Sequence, residues 1–136
     1  MRVFVDSLLW IAMARPTDMY RHSALEALAQ LSDAELVTTE EVLVEVLAAV
    51  AKYSTAVRAA AGAMVRKLLE SGTVEVVPQS HESFLSGLAF FEHRLDKGYS
   101  LTDCISMRTM YVMGIAQILT FDHHFRQEGF VVLLDR

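Results

Sequence analysis

Short apolar runs alternate with longer segments of helical periodicity, and this alternation limits the possible folds more than any other feature. The runs occupy residues 2–6, 35–38, 74–77, 117–121 and 130–134. Their Val, Ile, Leu and Phe content suits strands buried on both faces. Helical spacing fills residues 7–14, 18–31, 56–70, 82–95 and 102–113, and a further helix runs to about Lys52 with Thr38 or Thr39 as its N-cap. Gly72 and Gly114 are expected helix stops, and Pro16 and Pro78 fall between periodic segments. Strands that alternate with helices leave no room for hairpins in most of the chain. The expected fold is α/β, a three-layer α/β/α sandwich around a mostly parallel five-stranded sheet.

With 136 residues, the chain is expected to form one domain, residues 1–136, large enough to bury a core without staples. The hydrophobic fraction of 53% implies either a large core or an apolar surface covered by a partner. No apolar run approaches the roughly 20 residues of a membrane span. Residues 7–14 and the triplet Ala12-Met13-Ala14 loosely resemble a signal peptide, but Asp6 stands just before a short apolar stretch. Cys104 is the single cysteine, so no internal disulfide forms. A cytoplasmic protein with no membrane association is expected. The net charge of −5 argues against a protein that grips nucleic acid mainly through a basic surface. It leaves open an enzyme whose acids gather in one site.

In open parallel sheets, ligands bind outside the carboxyl ends of the strands. Two acids sit there: Asp6 in "VFVDS" and Asp122 in "ILTFD". Two more interrupt apolar helical segments: Glu45 in "VLVEVLAAVA" and Asp103 in "SLTDCI". Each has a local alternative. Asp6 and Asp122 suit helix or turn caps, Asp103 suits a capping arrangement with Ser100, and Glu45 suits a snorkelling or arginine-paired side chain. Taken together they suggest a cluster, and four close carboxylates cannot all stay ionised without positive charge. A hard divalent cation, Mg²⁺ or Mn²⁺, is the natural partner for such a set of oxygens.

The ordered series "VFVDS", "TTEEVLVEVL", "GYSLTDCISM", "ILTFDHHF" resembles the PIN domain, most closely the VapC-type toxin ribonucleases of bacterial toxin–antitoxin pairs. The resemblance runs over essentially the whole chain and includes the closing "FRQEGFVVL". One mild departure is "DSL" where the family opens on a "DTS"-like triplet. The resemblance implies a Mg²⁺- or Mn²⁺-dependent endoribonuclease whose catalytic and metal-holding acids are Asp6, Glu45, Asp103 and Asp122. Ser7, Thr102 and Thr120 are expected to orient those acids by hydrogen bonding. It also implies an RNA substrate, a homodimer and a small antitoxin partner in a type II pair. Two alternatives stand beside this: a PIN nuclease with a housekeeping RNA role, and an inactive PIN-like binding module. A haloacid-dehalogenase-like site needs a second Asp where Leu8 stands, and a response-regulator receiver needs paired acids near its start.

His123 and His124 are expected in exposed or packing roles rather than as metal ligands. Cys104 is expected to be a buried helix residue, and Met107, Met110 and Met113 share a helical face suited to the core. Arg15, Arg21, Arg94, Lys97, Arg108 and Arg126 are the cations nearest the acid-bearing segments, expected mainly as solvated surface.

Overall fold

The computed structural model describes residues 1–134. Its strands are β1 (Arg2–Val5), β2 (Glu35–Thr39), β3 (Val74–Val77), β4 (Gln117–Leu119) and β5 (Val131–Val132). Its α-helices are α1 (Ser7–Ala14), α2 (Arg21–Gln30), α3 (Glu40–Ala49), α4 (Thr55–Ser71), α5 (His81–Glu92) and α6 (Leu101–Met113), and a 3-10 helix spans His123–Glu128. The sheet order is β3-β2-β1-β4-β5, and every neighbouring pair is parallel. The expected α/β sandwich with a parallel five-stranded sheet flanked by helices is the observed fold.

The central position of β1 explains its sequence. Val3, Phe4 and Val5 are completely buried, because strands flank β1 on both sides and helices cover the sheet. Each such side chain contributes about 1.5–3 kcal/mol of burial. From β1 the chain builds outward through β2 to β3. It then crosses to the other side of β1 to lay down β4 and β5. The point of reversal lies between β1 and β4, where a crevice opens at the carboxyl edge.

Local chemistry sets the helix ends. The Thr39 hydroxyl accepts the Val42 amide at 3.1 Å, and Glu40 and Glu41 place negative charge in the first turn of α3. Ser54 accepts the Val57 amide at 3.2 Å to open α4. Gly72 closes α4 and Gly114 closes α6, at φ of 71° and 69°, where a side chain would be strained. Met107 and Met110 on α6 are buried in the core, Met113 packs partly buried against it, and Cys104 is buried beside them.

Helices α5 and α6 approach closely at Gly87. A Cβ there would overlap the Ile105 side chain and lie 3.3 Å from the Ile105 Cα and N. Gly87→Ala is therefore expected to destabilise the protein by about 1–3 kcal/mol despite its better helix propensity. Urea denaturation measures this, and an unchanged or raised midpoint would show that the two helices can separate freely.

The structure differs from the sequence expectation at the last two strands. Strand pairing covers Gln117–Leu119 rather than 117–121, and Val131–Val132 rather than 130–134. After Leu119 the chain turns into the crevice, and β5 is an edge strand that pairs only with β4.

Candidate metal centre

Asp6 is the first residue beyond β1. Its backbone N–H donates to the Leu119 carbonyl at 3.2 Å, so β4 fixes its position. It occupies the N-cap position of α1, but its side chain forms no capping bond. The carboxylate is instead buried, at 2% exposure. The Thr120 hydroxyl donates to Oδ2 at 2.8 Å, and Oδ1 is buried with no hydrogen-bond partner. Burial pushes the Asp6 carboxyl up to about 7, against the pull of the Thr120 bond. The Asp103 and Glu45 charges raise it further, and the Ser7 backbone amide offsets part of this.

Glu45 lies half-buried on α3, one turn after buried Val42. The Ser7 hydroxyl donates to its Oε1. Asp103 is the third residue of α6 and closes a reciprocal capping box. Its amide donates to Ser100 Oγ at 3.0 Å, and its Oδ2 accepts the Ser100 amide at 3.0 Å. Burial raises the Asp103 carboxyl above the ordinary range, and the Asp122 and Glu45 charges add to this, while the Ser100 bonds oppose it. Asp122 caps the 3-10 helix: its Oδ1 accepts the His124 amide at 2.9 Å, and its own amide donates to Thr120 Oγ1 at 3.0 Å. Asp103 and Asp122 thus serve as caps and still present carboxylate to the crevice. The electrostatic couplings place all four acids in one neighbourhood.

Of the three expected orienting hydroxyls, Ser7 and Thr120 hydrogen-bond to acids, to Glu45 and Asp6 respectively. Among the described residues, Thr102 forms no side-chain hydrogen bond with any of the four. The sequence marks Thr38 only as a candidate helix cap and does not show that its hydroxyl donates to the Val5 carbonyl at 2.8 Å, which ties β2 to β1 next to Asp6. Nor did it show that Tyr99 donates to Glu128 Oε2 at 2.8 Å, or that Arg94 grips both Glu128 oxygens at 3.0 and 3.2 Å. This clamp holds the 3-10 helix against the loop that leads into α6. The Arg94 bond draws the Glu128 carboxyl below its usual range. The Tyr99 of "GYS", directly before the Ser100 cap, was the available signal.

Several expected surface cations have internal roles. Arg15 pairs with Asp18 at 3.4 Å and stacks over Tyr53. The Arg21 guanidinium donates to the Met13 carbonyl, and Arg108 donates to Ser86 Oγ at 3.4 Å. Among the described residues, no ion pair links Asp6, Glu45 or Asp103 to a lysine or arginine. His124, expected in an exposed or packing role, is half-buried. One ring nitrogen lies within 4.8 Å of carboxylate oxygens of both Asp103 and Asp122, which lie equally close to each other. This grouping, the buried unpartnered Asp6 oxygen and the all-oxygen character of the four acids fit a divalent cation.

Comparison with known proteins agrees with this fold. VapC20 of Mycobacterium tuberculosis, a sarcin–ricin loop cleaving toxin, superposes with a TM-score of 0.84 at 23% identity, covering 95% of this chain and 96% of its own. VapBC2 of Rickettsia felis, solved bound to a DNA fragment from its promoter, gives a TM-score of 0.70 at 13% identity, with 97% of each chain covered. FitAcB of Neisseria gonorrhoeae gives 0.62 at 15% identity, covering 98% of this chain and 97% of its own. At such identities the likeness is one of fold. No curated protein sequence matches significantly. The sequence profile of the PIN domain matches residues 3–130, from the strand that delivers Asp6 to the end of the 3-10 helix and beyond, and the chain belongs to the PIN domain family.

Proposed function

We propose that the protein is a Mg²⁺- or Mn²⁺-dependent endoribonuclease, acting in the cytoplasm as the toxin of a type II toxin–antitoxin pair. One observation carries the nuclease reading: a buried Asp6 carboxylate with an unpartnered oxygen, coupled to Glu45 and Asp103. Asp6, Asp103 and Asp122 would hold the cation, and Glu45, fixed by Ser7, would complete the acidic wall. When bound, a divalent ion supplies an activated water and neutralises charge on the scissile phosphate. The chain's own task is positioning. β1 and β4 fix Asp6, the α6 cap fixes Asp103, and Thr120 links Asp6 to Asp122. Asp6 and Asp103, raised by burial, must shed any protons before they can serve as ligands. An inactive binding module would have no use for this buried acid arrangement.

The partner reading rests on the structural likeness to toxin–antitoxin proteins and on exposed apolar side chains. Leu8 on α1 and Val44 and Leu47 on α3 are exposed, close in sequence to Ser7 and Glu45. We assign this surface to an antitoxin segment, with a homodimer as the expected assembly.

The test is cleavage by purified protein of a sarcin–ricin loop RNA and an unstructured control RNA. Cutting is expected with Mn²⁺, is lost with chelator, and returns on adding excess metal. Cleavage that survives chelation, or no cleavage of either RNA by antitoxin-free protein, would overturn the nuclease reading. Co-expression with the product of an adjacent small gene tests the pairing through restored growth.

A further inference from the structure

The donor set around the crevice contains a group that the four-acid reading does not use. His124 lies in the 3-10 helix, two residues after Asp122. Its amide donates to Asp122 Oδ1 at 2.9 Å, and its Nδ1 lies 3.3 Å from the same oxygen. Nδ1 is buried and has no hydrogen-bond partner. The ring leans on Tyr99, centroid to centroid 5.6 Å at 58°. Tyr99 is itself anchored by Glu128, which Arg94 holds in turn. The imidazole therefore rests on a fixed platform, with its backbone pinned to one acid and a ring nitrogen close to two. Asp6 Oδ1, also buried and unpartnered, is a second and independent feature of the crevice that suits a cation.

We propose that His124 is a nitrogen donor to the divalent ion held by Asp103 and Asp122, and that it makes the site prefer Mn²⁺ to Mg²⁺. The inference rests on the metal-site reading given above. Its chemical basis is donor type. Mg²⁺ favours carboxylate and water oxygens in a near-ideal octahedron, whereas first-row transition ions accept imidazole readily. Replacing one oxygen by nitrogen weakens the case for Mg²⁺ and strengthens that for Mn²⁺. His123, the exposed neighbour, has no such environment and serves as the control.

The experiment loads the protein with one equivalent of Mn²⁺ and records pulsed electron paramagnetic resonance, in which a directly bound imidazole leaves a ¹⁴N modulation. The modulation is expected in wild type and His123→Ala and absent in His124→Ala and His124→Gln. Incorporating ¹⁵N-histidine into His123→Ala should change it, which assigns the signal to a histidine other than His123 even if both His124 variants misfold. Mn²⁺ affinity should fall about 10-fold or more in the His124 variants, while Mg²⁺ affinity changes about threefold or less. Bound Mn²⁺ without nitrogen modulation, or modulation that survives His124→Ala, overturns the His124 assignment and leaves the acid site standing. Failure of wild type to bind Mn²⁺ at all overturns the metal-site reading and this inference with it.

Discussion

Asp6→Asn is expected to lower the RNA cleavage rate by about 10³-fold or more while raising the melting temperature of the metal-free protein by several degrees. The opposite signs follow from one environment. The Asp6 carboxylate is buried beside two other acids, with one oxygen unpartnered. For a cation that oxygen is a ligand; for the metal-free fold it is an uncompensated buried acceptor. The asparagine carbonyl can still accept the Thr120 hydroxyl, and its amide N–H₂ faces carboxylates and donates to them. The substitution thus relieves repulsion and satisfies the orphan position, but removes the charge that would hold the ion. Single-turnover cleavage and thermal denaturation on the same preparations measure both effects. Wild-type cleavage would refute the assignment of Asp6, and lost activity with a lower melting temperature would reduce its role to structure.

The metal-free protein is expected to lose stability as pH rises from about 4 to about 7. Asp6 is raised from 3.8 to about 7 in the folded state, and Asp103 is raised as well. In that window the unfolded chain has released protons that the fold retains. The slope of stability against pH is then negative, and the contribution present below pH 4 is gone once pH passes the folded value. For Asp6 alone the loss reaches about 4 kcal/mol, taken as an upper bound. Glu128 works in the other direction: its carboxyl is lowered by Arg94, so its contribution is present above 4.5 and lost in stronger acid. The optimum of the metal-free protein therefore lies in mild acid. Mn²⁺ at 100 times its dissociation constant should restore about 2.7 kcal/mol at neutral pH. Urea titrations in chelator at pH 5, 6, 7 and 8 test this, and a flat or rising profile would rule it out.

What the sequence shows plainly is the consequence of burial. "VFV" reads as a central strand because a strand covered on both faces has no polar positions, and Asp6 stands out because it breaks that rule. Glu45 is visible for the same reason within α3. Asp103 and Asp122 are harder, since each is also a true cap, and the capping pattern alone accounts for their presence. The 3-10 helix escapes because six residues between Asp122 and Gly129 carry no helical period. His124 and the Tyr99–Glu128–Arg94 clamp escape for a different reason. The clamp joins residues far apart in sequence, Tyr99 and Glu128 at a separation of 29 and Arg94 and Glu128 at 34, and His124 meets Asp103 only through the fold. Thr102 carries the right chemistry next to Asp103, yet among the described residues it forms no side-chain hydrogen bond with any of the four acids.

The strand order has a bearing on when the acid cluster can form. β1 is the first strand made, yet its second neighbour, β4, is nearly the last. Until residues 117–122 emerge, Asp6 lacks the Leu119 carbonyl, the Thr120 hydroxyl and Asp122 altogether. A growing chain that has folded its first three strands holds only Asp6 and Glu45 and leaves one side of β1 unpaired. Such late, long-range pairing is slow and cannot be anticipated by local structure. Synthesis itself thus withholds the completed acid cluster from every intermediate in which residues 117–122 have not yet joined the sheet.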